Sequence, residues 1–232
     1  MVLSANAHGG APAVIEKVTT FVIRSSSHRD ELLLIAHPHG GIQIPAGTVE
    51  ANEALDAAAL REAREETGLT GLEIICYLGA RDDPPLPGHV FVCENTTVFS
   101  RPDSHSFDWA TLPRGAMVKL ERADGGYTQV TFEELDRWPD SNYVTYRIGG
   151  WVPNEALAPG RTRHFYQLAC RHATQEAWEV DIDYHRFRLF WVPLDDLPEI
   201  VSPQVEWLDV LWRERGNAAE PQPETGAPPA TM

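Results

Sequence analysis

Basic residues and cysteines are scarce in this chain. Its 232 residues include 19 Lys or Arg against 34 Asp or Glu, a formal net charge of −15. Binding to a phosphate backbone or an anionic membrane surface needs clustered Lys and Arg, so neither duplex nucleic acid nor a membrane is expected as a partner. An acidic chain that handles phosphate anions must do so with a metal ion or a local arginine cluster. The three cysteines, Cys76, Cys93 and Cys170, are widely separated and include no Cys-x-x-Cys pair. That spacing argues against a structural zinc site and against a disulfide framework, and it fits a reducing cytoplasm. No apolar run reaches membrane-spanning length. Met1 to Pro12 has neither the basic start nor the apolar core of a signal peptide, so a cytoplasmic location is expected.

Other properties are ordinary. Hydrophobic content of 43% and charged content of 23% are those of a globular protein, and the length allows a well-buried core or two small domains. The unusual feature is local. Glu62, Glu65 and Glu66 fall on one face of a single predicted helix. Like charges three and four residues apart repel and destabilise a helix. The arrangement makes sense around a hard divalent cation, which takes oxygen ligands and brings the missing charge. A solvated glutamate-rich face is the plain alternative for the cluster taken alone.

The surrounding residues decide between them. Gly47 is followed after five residues by Glu53, and after seven more by Arg61-Glu62-Ala63-Arg64-Glu65-Glu66-Thr67-Gly68-Leu69. This resembles the Nudix box, G-x5-E-x7-R-E-U-x-E-E-x-G-U, where U is aliphatic. Every fixed Gly, Glu and Arg is present, and Ala63 is smaller than the usual aliphatic residue. Gly47 follows the short strand Ile42 to Ala46, where a glycine permits a tight bend and a close approach of its carbonyl to a metal or phosphate. Asn52 is the expected N-cap, Glu53 suits the first turn, and Gly68 is a C′ residue free to take positive φ. Arg61 precedes Glu65 by four residues and can pair with it. By resemblance, Glu53 helps to orient that arginine. Ala57, Ala58 and Ala59 let the helix lie close to a sheet.

The resemblance implies an α+β protein: a Nudix α/β/α sandwich with a mixed sheet. Val18 to Arg24 and Leu32 to Ala36 read as a hairpin, and Leu72 to Leu78 as a third strand. The Pro-rich stretch Arg81 to Gly88 then interrupts the pattern, which resumes at His164 to Cys170 after Ala158-Pro159-Gly160-Arg161. Between them lie short strands at Thr97 to Ser100, Met117 to Glu121, Tyr127 to Thr131, Tyr143 to Arg147 and Gly150 to Val152. Their order is similar to bacterial Src-homology-3-like barrels, so a small all-β barrel-like insertion is expected. Trp109 and Trp151 are read as residues of its core. The expected organisation is a flexible N-terminus over 1–12, a discontinuous Nudix domain over 13–80 and 160–215, an inserted β domain over 88–158, and a disordered tail over 216–232. Arg186 to Val192 reads as a strand. Ser202 as N-cap and Pro203 at N1 open a last helix through Arg215.

As a family, Nudix proteins are metal-dependent pyrophosphohydrolases. The resemblance therefore implies cleavage of a nucleoside diphosphate linked to another moiety: a nucleotide sugar, dinucleotide or nucleoside triphosphate. It implies Mg²⁺ or Mn²⁺ on Glu62, Glu65 and Glu66, with Gly47 as a further candidate, and Glu53, Arg61, Glu62 and Glu65 in the catalytic set. Glu176, Glu179, Asp181 and Asp183 are candidates for a base on a later segment. His37, His39, Tyr166, Trp178 and Trp191 are candidate substrate contacts, weighed against solvated loop histidines and core aromatics. The partner is a small phosphoanhydride compound, and a homodimer is one reading of the insertion. The alternative function is a ligand-sensing or protein-interaction module that uses the inserted β domain.

Overall fold

The computed structural model describes residues 14–25, 29–38, 40–136, 141–182 and 185–219. The readings for the N-terminus over 1–12 and for the tail beyond residue 219 lie outside these residues, as do His39 and Asp183. The fold is mixed α+β, mostly strands with few helices.

The first sheet is built around β1 (Ile15–Ser25), whose β-branched run is buried on both faces. β1 runs parallel to β13 (Arg161–Cys170), from Ile15 opposite Arg161 to Ile23 opposite Ala169. Its other edge is shared. β2 (Asp30–His37) pairs with it only at Ile23–Ser25, while β4 (Ala46–Thr48) takes Lys17–Thr19. The short β3 (Gly41–Gln43) returns along β2. The sheet continues outward to β5 (Leu72–Asp83) on one side, and through β2 to β15 (His185–Pro193) and β14 (Ala177–Ile182) on the other.

A helix covers each face. On one side lies α1 (Leu55–Thr67), whose fully buried Ala58, Ala59 and Ala63 let it approach Val18, Val22 and Leu168 closely. On the other, α2 (Leu208–Ala219) places Leu208, Val210 and Leu211 against Phe21, Leu32, Leu34 and Phe165. Among the described residues no helix is long and apolar enough to cross a membrane.

The chain leaves this sheet at Asp83 and re-enters it at Arg161, and these two residues are cross-strand partners. Between them it forms a second, curled sheet of β6 (His89–Val92), β7 (Thr96–Phe99), β8 (Asp108–Leu112), β9 (Met117–Asp124), β10 (Tyr127–Leu135), β11 (Val144–Pro153) and β12 (Leu157–Ala158). Its order is β12-β6-β9-β10-β11-β7-β8, and it has its own core of Val90, Val92, Val98, Leu112, Val118, Val130, Val152 and Leu157. A small cluster of Ile15, Phe91 and Ala158 joins the two sheets.

Several local expectations are corrected. Helix α1 begins after Ala54, whose side chain makes no capping bond, and Asn52 instead takes a left-handed φ of 62° in the preceding turn. Glu53 therefore stands ahead of the helix. The strands expected at 143–147 and 150–152 are one strand, β11, because Gly149 and Gly150 continue the ladder opposite Thr131 and Val130. Gly150 is small for a reason: a Cβ there would lie 2.5 Å from Val98 and 2.8 Å from the Phe99 carbonyl. Ser202 and Pro203 precede a 3-10 turn (Gln204–Trp207), and the α-helix starts only at Leu208. It continues to Ala219, so residues 216–219 are helical rather than part of a tail. Trp151 is buried as expected, but Trp109 is 45% exposed.

Candidate active site

The loop that contains β4 lies against α1, and the box residues tie the two together. Glu62 Oε1 accepts the Thr48 N–H at 2.9 Å, and Glu66 Oε2 accepts the Ala46 N–H at 2.8 Å. Gly47 lies between these two amides. A Cβ there would fall 1.8 Å from the Glu62 carboxyl carbon, so the glycine is required because Glu62 occupies the space of a side chain. The expectation that a tight bend demands glycine is thus replaced by a packing reason.

Arg61 organises the rest. Its Nε and Nη2 each donate to Glu53 at 2.8 Å, a bidentate pair, and Nη2 also donates to the Thr48 carbonyl at 3.1 Å. Nη1 reaches Glu62 at 3.0 Å and Glu65 at 3.1 Å. Glu53 in turn accepts the Glu50 N–H at 2.9 Å. The Arg61 guanidinium holds the Glu53 carboxyl down at about 2, and Glu53 in return raises the arginine. A depressed carboxylate contributes stability that is complete above its unfolded value near 4.5 and is lost as pH falls through the folded value near 2. Acid titration of thermal stability should therefore show a loss between pH 4.5 and 2 that is smaller in Glu53→Gln. Parallel curves for the two proteins would remove this pair from the ledger.

The three glutamates are not equivalent. Glu66 is half-buried against the loop, and desolvation there pushes its carboxyl up to about 8. The Glu62 side chain is 15% exposed, and that of Glu65 is 61% exposed and turned to Arg61. Among the described residues no three His, Cys, Asp or Glu side chains converge as a ready-made cation site.

Sequence reasoning missed the cations beside this loop. Lys17 of β1 donates to Thr48 Oγ1 at 2.7 Å, and burial, with Arg163 next, lowers it to about 8; Glu62 and Glu66 act on it in the opposite sense. Arg161 and Arg163, two apart on β13 and so on one face, both bond Asp83 Oδ2, at 2.7 and 3.1 Å. Arg163 also donates to Thr19 Oγ1 at 3.0 Å, and burial lowers it to about 10. The alternation Arg161-Thr162-Arg163 was the available signal. Its meaning depends on the β1–β13 pairing.

Other candidates lie elsewhere. Tyr166 and Trp191 are buried core residues, and Trp178 packs on the same cluster while donating to the Thr67 carbonyl at 2.8 Å. Their rings are used in packing, which corrects their reading as stacking platforms. Trp178 and Val180 face α1, so alternation along β14 turns Glu179 and Asp181 away from it, where both pair with Arg186. Glu176 pairs with Arg24 at 2.6 Å. None of these three carboxylates is brought to the loop. His37 packs edge-on to Phe187 and lines a cleft of about 660 Å³ with Pro38, Gly41, Asp136, Asn142, Tyr143 and Thr145. That cleft is formed between the β2–β3 turn and the second sheet.

A loop–helix clasp carrying a full set of box carboxylates, on a mixed sheet between two helices, defines the class. Residues 16–124 match the family model of the NUDIX domain. Residues 16–124 therefore form a NUDIX domain, and the chain is a hydrolase acting on pyrophosphate bonds. The match runs from β1 through the box into β9 of the second sheet. Among solved structures the chain is similar to the NUDIX domain of Shewanella oneidensis NrtR complexed with ADP ribose, at 12% identity and a TM-score of 0.41, covering 91% of this chain and 94% of that one. It is also similar to the C. elegans Ap4A hydrolase, at 16% identity and a TM-score of 0.40, covering 89% of this chain and 99% of that one.

Proposed function

We propose that the chain hydrolyses a nucleoside diphosphate linked to another moiety, by attack of water on phosphorus. The observation that carries this reading is the clasp around Gly47. There two half-buried carboxylates meet backbone amides of a single loop with Lys17 alongside.

The donor set fits a hard divalent cation, Mg²⁺ or Mn²⁺. Glu62 and Glu66 each spend one oxygen on a backbone N–H and keep the other, and Glu65 is held at the rim by Arg61. When bound, such a cation neutralises charge on the diphosphate and activates the attacking water. The chain's own residues do the rest. Arg61 and Glu53 hold the loop. Glu62 or Glu65 receives the water's proton. Lys17, whose one hydrogen bond is to a hydroxyl, has N–H groups left for a phosphate oxygen, and Arg161 has its Nη groups. The His37 cleft begins at Gly41, five residues from Ala46, so at most about 17 Å of chain separates it from the clasp. That distance suits the second moiety of the substrate.

The second sheet we read as an inserted domain over 88–158. One observation favours an additional interaction role for it: Phe107 is 71% exposed, Tyr143 63% and Tyr146 50%.

The test is a panel of nucleotide sugars, dinucleoside polyphosphates, ADP-ribose and nucleoside triphosphates, with Mg²⁺ or Mn²⁺ and phosphate detection. At least one class is expected to turn over only with metal. On it Lys17→Met should raise KM by roughly tenfold, the effect of one lost charge-assisted contact. No turnover of any member with either metal would overturn the hydrolase reading.

A further inference from the structure

We propose that Arg114, contributed by the second sheet, is a positioning residue that fixes the catalytic loop from outside the box. The inference rests on the reading of that loop as the active site.

From Ala46 to Glu50 the loop's backbone is anchored at almost every peptide. The Ala46 and Thr48 amides go to Glu66 and Glu62, and the Thr48 carbonyl to Arg61. The Val49 amide donates to the Glu16 carbonyl at 3.0 Å, and the Glu50 amide to Glu53. These anchors come from β1, α1 and the turn before it. The Val49 carbonyl is the exception, because Arg114 Nη1 donates to it across 65 residues of sequence. The guanidinium is itself aimed: Nε donates to the Cys93 carbonyl at 3.0 Å. Its backbone is fixed as well, with the Arg114 amide on Asn95 Oδ1 at 2.8 Å and the Gly115 amide on the Val92 carbonyl at 2.7 Å. Gly115, at a φ of 88°, brings this turn against the loop, where a Cβ would stand 3.8 Å from Thr48 Oγ1.

One planar fork thus ties two carbonyls, Cys93 in the β6–β7 connection and Val49 in the loop, into one unit. Val49 follows Thr48, the residue that meets Glu62, Arg61 and Lys17 together. Releasing the Val49 peptide lets that meeting point shift. A displacement near 1 Å at a catalytic centre costs on the order of 100-fold in rate.

The experiment compares the full-length wild type with Arg114→Ala, Arg114→Lys and Val130→Ala. Val130 is fully buried in the core of the second sheet and touches no part of the loop, so its variant reports simple destabilisation of that sheet. Steady-state rates on the best substrate and hydrogen exchange of residues 46–50 are both read. Arg114→Ala is expected to lower kcat by roughly 10- to 100-fold with KM within about threefold, and to speed exchange of the loop amides. Val130→Ala should lower the melting temperature while kcat stays near wild type. Arg114→Lys should not restore kcat, since an ammonium is a point donor and cannot hold both carbonyls as the fork does. Wild-type kcat and unchanged loop exchange in Arg114→Ala would overturn the proposal, as would full rescue by lysine or an equal kcat loss in Val130→Ala. If the wild type proves to have no hydrolase activity, exchange of the loop still decides whether Arg114 fixes it, so the two readings fail separately.

Discussion

Glu66→Gln is expected to abolish metal-dependent hydrolysis while leaving the metal-free protein folded and, near neutral pH, more stable than the wild type. The side chain is half-buried, and an amide oxygen can still accept the Ala46 N–H, so the fold keeps its contact. Burial pushes the Glu66 carboxyl up to about 8, so without metal the group is largely neutral at pH 7 and glutamine imitates it well. The sign follows from linkage. The folded value lies above the unfolded one near 4.5, so the stability of the neutral form is complete below pH 4.5 and is lost as pH rises through 8. Glutamine lacks that decline, so the metal-free variant should become the more stable protein as pH rises above about 4.5, with the difference levelling off beyond pH 8.

With Mg²⁺ or Mn²⁺ the order reverses. Saturating metal should stabilise the wild type by about 1–3 kcal/mol through mass action and the variant by much less. The rate loss should exceed the roughly 10- to 100-fold cost of losing an outer-shell partner of a metal. Melting curves across pH with and without metal, paired with steady-state rates, check both halves. Full activity in Glu66→Gln would remove Glu66 from the site.

Replacing residues 85–159 with a short Gly/Ser turn is expected to leave a folded first sheet that has lost most of its activity. Asp83 and Arg161 are already cross-strand partners, so a few residues suffice to join them without straining β5 or β13. The second sheet has its own core, and its removal leaves the contacts of α1 and α2 intact. Two things are lost. Ile15, fully buried, loses Phe91 and Ala158, which costs about 1.5–3 kcal/mol and roughly 5–10 °C of melting temperature. The Val49 carbonyl loses Arg114. Circular dichroism and exchange protection of β1 and β13 report the fold, and the substrate panel reports the activity. An unfolded product would refute the separate domain. Wild-type activity would show that the second sheet does not support the loop.

What the sequence determined by itself is what depends on short separations. The Arg61 pairings with Glu53 and Glu65 span eight and four residues, so they could be read from helical spacing and from the box. The same holds for the end of α1 at Gly68, whose φ of 69° needs a residue without a Cβ. The boundaries proposed for the inserted domain rest likewise on local signals, the Pro-rich punctuation between two strand patterns. The start of α1 was misread because Asn52 has two suitable uses, as a cap and in a left-handed turn, and the local sequence does not choose between them.

Tertiary structure decided everything that depends on register. Lys17, Arg161 and Arg163 meet only because β1 and β13 run parallel in one alignment, which brings Arg163 to Thr19 across 144 residues. A shift of one residue would turn both arginines to the other face. Tyr166 and Trp191 are aromatic residues on strands in any reading, and only the packing of α1 against that face makes them core. Arg114 stands in a turn and has no helical or strand periodicity to mark it. Its role arises where two sheets, each stabilised by its own apolar core, come into contact beside the loop.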